Sequence, residues 1–239
     1  ARELGGEPGA PPMRVGFPAV DTLTGQTAAF AILSALLRRE REGGGDFLDV
    51  AMFDASLAFM ASAVVPWLVT GRALERTGNT GYSGQPTSAL FVARDGRHLS
   101  LGVVQQHQFV LLAKLLGHEE WLRDPRFTDP ETRRKNSASV QAALSAVFGQ
   151  RDAAEWETEL SAAGIPCGMV REIGEAVSLP ALEDRQLLLP LTVPGLPHSE
   201  AVRILGAGYR SEQGLDTQLT PPPRPDQHRD EIQRWLANS

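Results

Sequence analysis

The stretch Phe17-Pro18-Ala19-Val20-Asp21-Thr22-Leu23-Thr24-Gly25-Gln26 leads into an apolar run over residues 27–37 and then into Arg38-Arg39-Glu40-Arg41-Glu42. Pro18 fixes an extended approach. Asp21, Thr22 or Thr24 can cap a helix by accepting a backbone N–H bond. Ala28, Ala29, Ile32, Leu33, Ala35 and Leu36 recur at helical spacing, which predicts a helix with a buried face. Gly43-Gly44-Gly45 stops it. Asp21 has two compatible readings. It is a helix cap, or it is a carboxylate held at the positive end of a helix, where the field keeps it ionised and available as a nucleophile.

The bulk of the chain sets the frame. Its 239 residues suit one large domain or two small ones. Hydrophobic residues at 42% and charged residues at 22% are ordinary for a globular protein. A net charge of -6 gives no general attraction to nucleic acid or to an anionic membrane. No apolar run is read as reaching membrane-spanning length, and no signal peptide is read at the start. Cys167 is the only cysteine, so an intramolecular disulfide is impossible, and a cytoplasmic location is expected. Residues 1–12 read as a Gly/Pro-rich loop that passes straight into helix, as though the chain began in the middle of something.

After the triple glycine, Phe47, Leu48 and Val50 suggest a short strand or the approach to a helix. Residues 53–68, with Leu57, Phe59, Met60, Val64 and Val65, predict a second apolar helix ended near Pro66 and Gly71. Asp54 there reads as capping or solvent-facing. Two such helices are too apolar to stand alone and must pack on something large. Next comes Arg76-Thr77-Gly78-Asn79-Thr80-Gly81-Tyr82-Ser83-Gly84-Gln85-Pro86. Its glycines exclude regular structure, and it reads as an interdomain linker or as a mobile loop whose bare backbone approaches a ligand. It lacks the lysine and Ser/Thr of a phosphate-cradling loop.

Beyond Pro86 the texture changes. Residues 88–104 read as a hairpin turning at Asp95-Gly96. Helices follow over 108–116, closed by Gly117, over 137–148, and over 153–163, closed by Gly164, with a short helix and turn at 121–127. Ile165-Pro166-Cys167-Gly168-Met169-Val170 is strand-like. Residues 179–191 read as helix and connector, 191–193 as a strand, 206–225 as extended, and 226–236 as a terminal helix. The histidines show no metal-ligand spacing, so no metal is expected. No Gly-x-Ser-x-Gly occurs. Cys167 reads as buried and inert, and His107 as solvent-facing or capping.

One ordered set of signals goes further: Arg14-x-Gly16, Asp21, Gly25, Gly78-Asn79-x-Gly81 to Gln85-Pro86, Asp95-Gly96, Gln108-Phe109, Asp124-Pro125-Arg126-Phe127, Arg134-x-Asn136, Glu155-Trp156, Ala163-Gly164-Ile165-Pro166-Cys167-Gly168 and Gln227-His228. In this order they resemble the class III, formyl-CoA transferase-like, CoA-transferase family, which includes the α-methylacyl-CoA racemases. The resemblance covers only that family's C-terminal part. It implies an α/β fold, the C-terminal portion of a two-domain, Rossmann-like, interlocked-dimer architecture. Residues 1–75 would be part of the large domain, 76–86 a glycine-rich linker, 87–177 a small α+β domain, and 178–239 an extension returning to the large domain.

By the same resemblance Asp21 is the catalytic nucleophile, and Gly81, Tyr82, Ser83, Gly84 and Gln85 form the loop that closes over the reacting thioester and binds substrate. Tyr82 and Ser83 stand where the family carries glycine. The implied substrates are an acyl-CoA and a carboxylic acid, with coenzyme A thioester as substrate and no permanently bound cofactor. An interlocked homodimer or a complex with an N-terminal half is implied, with no nucleic acid and no membrane partner. Two alternatives stay open. One is a racemase-like isomerase, in which Asp21 pairs with a histidine outside this chain. The other is a non-catalytic interaction module lacking the CoA-binding half.

Overall fold

The computed structural model describes residues 6, 9–11, 13–72, 76–195, 202–214 and 219–238. Most of the loop expected over 1–12, and residues 215–218 of the extended stretch, lie outside the described residues. The chain divides into two compact units, Ala1–Val170 and Arg171–Ser239.

The first unit opens with α1, Ala19–Glu42, closed by Gly43 at φ 78° as expected, with the Gly43 N–H donating to the Arg39 carbonyl. The buried face expected for this helix is not buried: α1 holds no buried residue, and Phe30, Ile32 and Leu33 are 74%, 51% and 66% exposed. The helix also corrects the reading that no segment is long enough to span a membrane. At 24 residues it is long and apolar enough to cross one. The hydroxyls of Thr22, Thr24, Thr27 and Ser34 each donate to the carbonyl four residues back, so its polar side chains are largely spent on its own backbone. Only Asp21 is charged before Arg38.

The second apolar helix is in fact two, α2 (Met52–Phe59) and α3 (Ala61–Thr70), bent by 78° at Met60. Pro66 does not end α3 but sits inside it. It comes after the first turn, where proline has no N–H to offer the carbonyl four residues back, and Gly71 in the left-handed region closes the helix. Asp54 lies exposed in the first turn of α2. Residues 46–51 take no regular structure, and α1 packs on α2.

A three-stranded antiparallel sheet follows: β1 (Leu90–Val92), β2 (His98–Leu101) and β3 (Cys167–Met169), in the order β1-β2-β3. Leu90 pairs with Ser100 and Leu99 with Met169. The turn between β1 and β2 is Asp95-Gly96, with Gly96 at φ 78°. Onto this sheet pack α4 (Gln106–Leu115), α6 (Ser137–Phe148) and α7 (Ala153–Ala162), which bury Phe109, Leu112, Leu144, Phe148, Trp156 and Leu160 against Phe91, Leu99 and Leu101. The rings interlock: Phe148 lies 5.1 Å from Phe91 and 5.3 Å, edge-on, from Trp156. The Trp156 indole N–H donates to the Phe148 carbonyl at 2.9 Å, which satisfies the one polar atom of that buried ring. A 3₁₀ turn, Glu119–Leu122, seats Trp121 beneath α4. The six-residue α5, Pro130–Lys135, lies where the sequence pattern predicts no helix.

In the second unit, α8 (Ile173–Ala176) and α9 (Pro180–Asp184) precede a two-stranded antiparallel ribbon of β4 (Leu188–Pro190) and β5 (Arg203–Leu205). The strand expected at 191–193 thus falls three residues earlier. The terminal helix α10 runs over Arg229–Ala237.

Candidate active site

Asp21 is the third residue of α1. The helix starts at Ala19, behind Pro18, whose ring offers no side-chain acceptor, and no side chain caps it. This corrects the capping reading: with the helix beginning two residues before Asp21, its carboxylate lies in the first turn rather than ahead of it. It is exposed, and none of the described residues donates a hydrogen bond to it. Asp21 is therefore an exposed carboxylate in the first turn of α1, sterically open to an incoming electrophile.

The glycine-rich segment is a run of bonded turns rather than a free tether. Thr80 bridges to Ala89, and the Gly81 N–H donates to the Ser88 carbonyl at 2.6 Å. Gly84 N–H reaches the Gly81 carbonyl at 2.9 Å, and Gly84 takes φ 66°, a region that a side chain would strain. Ser83 Oγ accepts the Gln85 N–H at 3.3 Å. The side chains diverge: Tyr82 is 91% exposed, whereas Gln85 and Thr87 are each 1% exposed. No described hydrogen bond joins this segment to Asp21. Beside it a cleft of about 370 Å³ opens between residues 77–80, β1 and one side of α6, lined by Asn79, Ser137, Gln141 and Ser145.

What sequence reasoning missed is the support under Gln85. Its Nε2 donates to the carbonyl of Pro130, the first residue of α5, at 3.1 Å. Asp129 caps α5, accepting from the N–H groups of Glu131 and Thr132 at 3.0 and 2.9 Å and from the Thr132 hydroxyl at 2.6 Å. The Thr132 hydroxyl and then its N–H hold the Asp129 carboxyl at about 2, below the ordinary 3.8. Arg133, 1% exposed, donates to the Phe127 carbonyl and to Gln106 Oε1, both at 2.8 Å, and its guanidinium lies 4.1 Å from the centre of the Phe109 ring. Burial lowers the pKa of that guanidinium. Gln106 Nε2 in turn donates to Thr128 O at 3.0 Å. Asp124, chelated by Arg126, is likewise held at about 2. The legible signal was Asp129-Pro130, a cap followed by proline at the first helical position.

Two atoms of this support are buried without a partner, Gln85 Oε1 and Arg133 Nε. An unsatisfied buried polar group costs about 1–3 kcal/mol. Elsewhere, Cys167 is partly buried rather than buried as expected; its sulfur sits 3.6 Å from Ser161 Oγ, and the burial it has raises the pKa of its thiol. His107 is exposed in the first turn of α4, where Gln108, not His107, supplies the cap by accepting the Gln105 N–H. Among the described residues no three His, Cys, Asp or Glu side chains gather as metal ligands.

The chain belongs to CoA-transferase family III, whose pattern it matches over residues 2–229. Acetyl-CoA:oxalate CoA-transferase of Acetobacter aceti is 35% identical over 196 residues, covering 80% of this chain and 50% of that protein. Succinyl-CoA–D-citramalate CoA-transferase of Chloroflexus aurantiacus is 28% identical over 215 residues, covering 90% of this chain and 53% of the relative. A crystal structure of a CaiB/BaiF family protein from Brucella suis superimposes with a TM-score of 0.78 at 26% identity, covering 98% of this chain and 60% of that one. The fold is accordingly part of the α/β class III CoA-transferase fold, and the chain spans about half the length of the curated relatives it matches.

Proposed function

We propose that this chain supplies the nucleophile and the closing loop of an acyl-CoA:carboxylate CoA-transferase. The observation that carries the reading is Asp21, an exposed carboxylate with no described partner in the first turn of α1, in a chain that matches the family over residues 2–229. An Asp21 oxygen attacks the acyl-CoA thioester carbonyl, and CoA leaves as thiolate, giving a mixed anhydride. The thiolate then attacks the aspartyl carbonyl of that anhydride. The donor acid departs as carboxylate and an aspartyl-CoA thioester remains. An incoming carboxylate attacks the thioester carbonyl and releases thiolate, and the thiolate attacks the acyl carbonyl of the new anhydride. The products are the new acyl-CoA and free Asp21.

The loop at residues 81–85 covers these intermediates, whose competing fate is hydrolysis. Small dicarboxylic acids are the first acceptors to try, because oxalate and citramalate appear in the names of relatives. Residues 1–75 belong to the large Rossmann-like domain of the family architecture. Protein covers the apolar surface of α1–α3, either a second copy or an N-terminal half, and the location is cytoplasmic. The exposure of Phe53, Phe59 and Val69, each above 70%, supports such a cover.

The test is CoA transfer by the complete enzyme over a panel of carboxylic acids, with hydroxylamine trapping of the acyl-enzyme. The label is expected on Asp21, with transfer abolished in Asp21→Asn. Undiminished transfer by that variant would sink the nucleophile reading.

A further inference from the structure

We infer that Gln85 and Arg133 are positioning residues for the transfer reaction: they fix the base of the loop so that residues 82–84 alone move over the reacting thioester. This rests on the CoA-transferase reading above. Both ends of the loop are fastened to the core. At one end the Gly81 N–H is bonded to Ser88, and a methyl group at Gly81 would lie 2.4 Å from Ser88 Oγ, so residue 81 sits flush against the start of β1. At the other, the Ser88 N–H donates to the Gln85 carbonyl at 2.9 Å, and the Thr87 hydroxyl donates to the Val103 carbonyl at 2.5 Å. Tyr82, Ser83 and Gly84 remain between these fastenings.

The Gln85 side chain turns inward, and what it grips is itself immobilised. Its acceptor, the Pro130 carbonyl, belongs to a turn held by the Asp129 cap on one side and by Arg133 on the other. Arg133 is pinned in turn by Gln106 and stacked on Phe109. The arginine thus transmits the rigidity of α4 to the carbonyl that holds the loop. This gives a role to the segment around Asp124-Pro125-Arg126-Phe127 and Arg134-x-Asn136, which the chemistry of Asp21 leaves unused. The orphaned Gln85 Oε1 argues that the side chain is not there for packing alone. An apolar residue of the same length would fill the space with no unsatisfied acceptor.

The experiment uses the complete enzyme and reads the ratio of CoA transferred to thioester hydrolysed, with thermal unfolding alongside. Gln85→Met loses the bond to Pro130 and the orphaned oxygen together. Its unfolding temperature should stay close to wild type while the ratio falls at least about tenfold, the scale of effect expected when a remote change shifts a positioned group. In Gln85→Glu a protonated acid can donate to the Pro130 carbonyl as the amide does, and an ionised one cannot. The ratio of that variant should fall as pH rises through the titration of the acid, relative to wild type, which a purely structural role would not produce. An unchanged ratio in folded Gln85→Met overturns the inference, as does a Gln85→Glu profile parallel to wild type should the Met variant fail to fold. Absence of transfer in the wild type with every acid would overturn the CoA-transferase reading, and this inference with it.

Discussion

A methyl group added at Gly81 tests whether the base of the loop is as tight as its hydrogen bonds imply. In Gly81→Ala the new Cβ meets Ser88 Oγ at 2.4 Å, Ser88 O at 3.3 Å and Ser88 Cβ at 3.4 Å. The first contact is impossible and the other two are merely close. The hydroxyl can swing aside, but the backbone carbonyl is fixed by its bond from the Gly81 N–H. Overpacking of this kind costs about 1–3 kcal/mol. Replacing glycine offsets about 0.4–1 kcal/mol of that by narrowing the unfolded ensemble. Gly81→Ala should therefore destabilise by about 1 kcal/mol. Ser88→Ala removes the offending oxygen, so in that background Gly81→Ala should be close to neutral, a coupling of about 1 kcal/mol. Urea unfolding followed by the fluorescence of the buried Trp121 and Trp156 measures all four corners of the cycle. Additivity within about 0.5 kcal/mol would refute the reasoning, because it would mean that the two residues do not touch.

Removing the α5 cap with Asp129→Ala should destabilise by about 1–2 kcal/mol in the same assay, since three donors lose their acceptor at once. Acid should reach this segment in a defined window. Asp124 and Asp129 are held at about 2 against an ordinary 3.8, so their stabilisation is complete above the ordinary value and is lost as pH falls toward 2. Unfolding midpoints measured from pH 5 to pH 2 should drop less steeply in Asp129→Ala than in wild type. Gly84→Val forces a β-branched residue into φ 66° and should divert thioester from transfer to hydrolysis in the complete enzyme; normal partitioning would make residues 81–85 a linker only.

How far the chain could be read depended on whether a signal was local. Helix α6 matches its predicted span of 137–148 from end to end, because apolar periodicity and a following glycine act within a few residues. The Asp95-Gly96 turn and the closures by Gly43, Gly117 and Gly164 are legible for the same reason: each needs a positive φ. The failures are non-local or lack a pattern. The break at Met60 lies inside an unbroken apolar run, where no residue type marks it. Helix α5 buries an arginine rather than an apolar face, so hydrophobic periodicity could not find it. Of the two readings of Asp21 the capping one fails, because the helix starts behind Pro18 rather than behind the best capping side chain. The grip of Gln85 on Pro130 spans 45 residues and has no sequence signature.

The bare surface of α1–α3 gives this one chain two different kinds of stability. The sheet and its helices carry their own interior, so their unfolding is a property of the sequence. The first three helices bury only Ala55, and short of packing partners such helices are marginal in water. Their folded population follows mass action: a cover present at about 100 times its Kd adds about 2.7 kcal/mol, and dilution withdraws it. On the proposed reading, the helix that carries Asp21 is ordered by the concentration of the protein that covers it. The proposed nucleophile would then be assembled only where its cover is present, which would tie the chemistry to the inventory of subunits rather than to the chain alone.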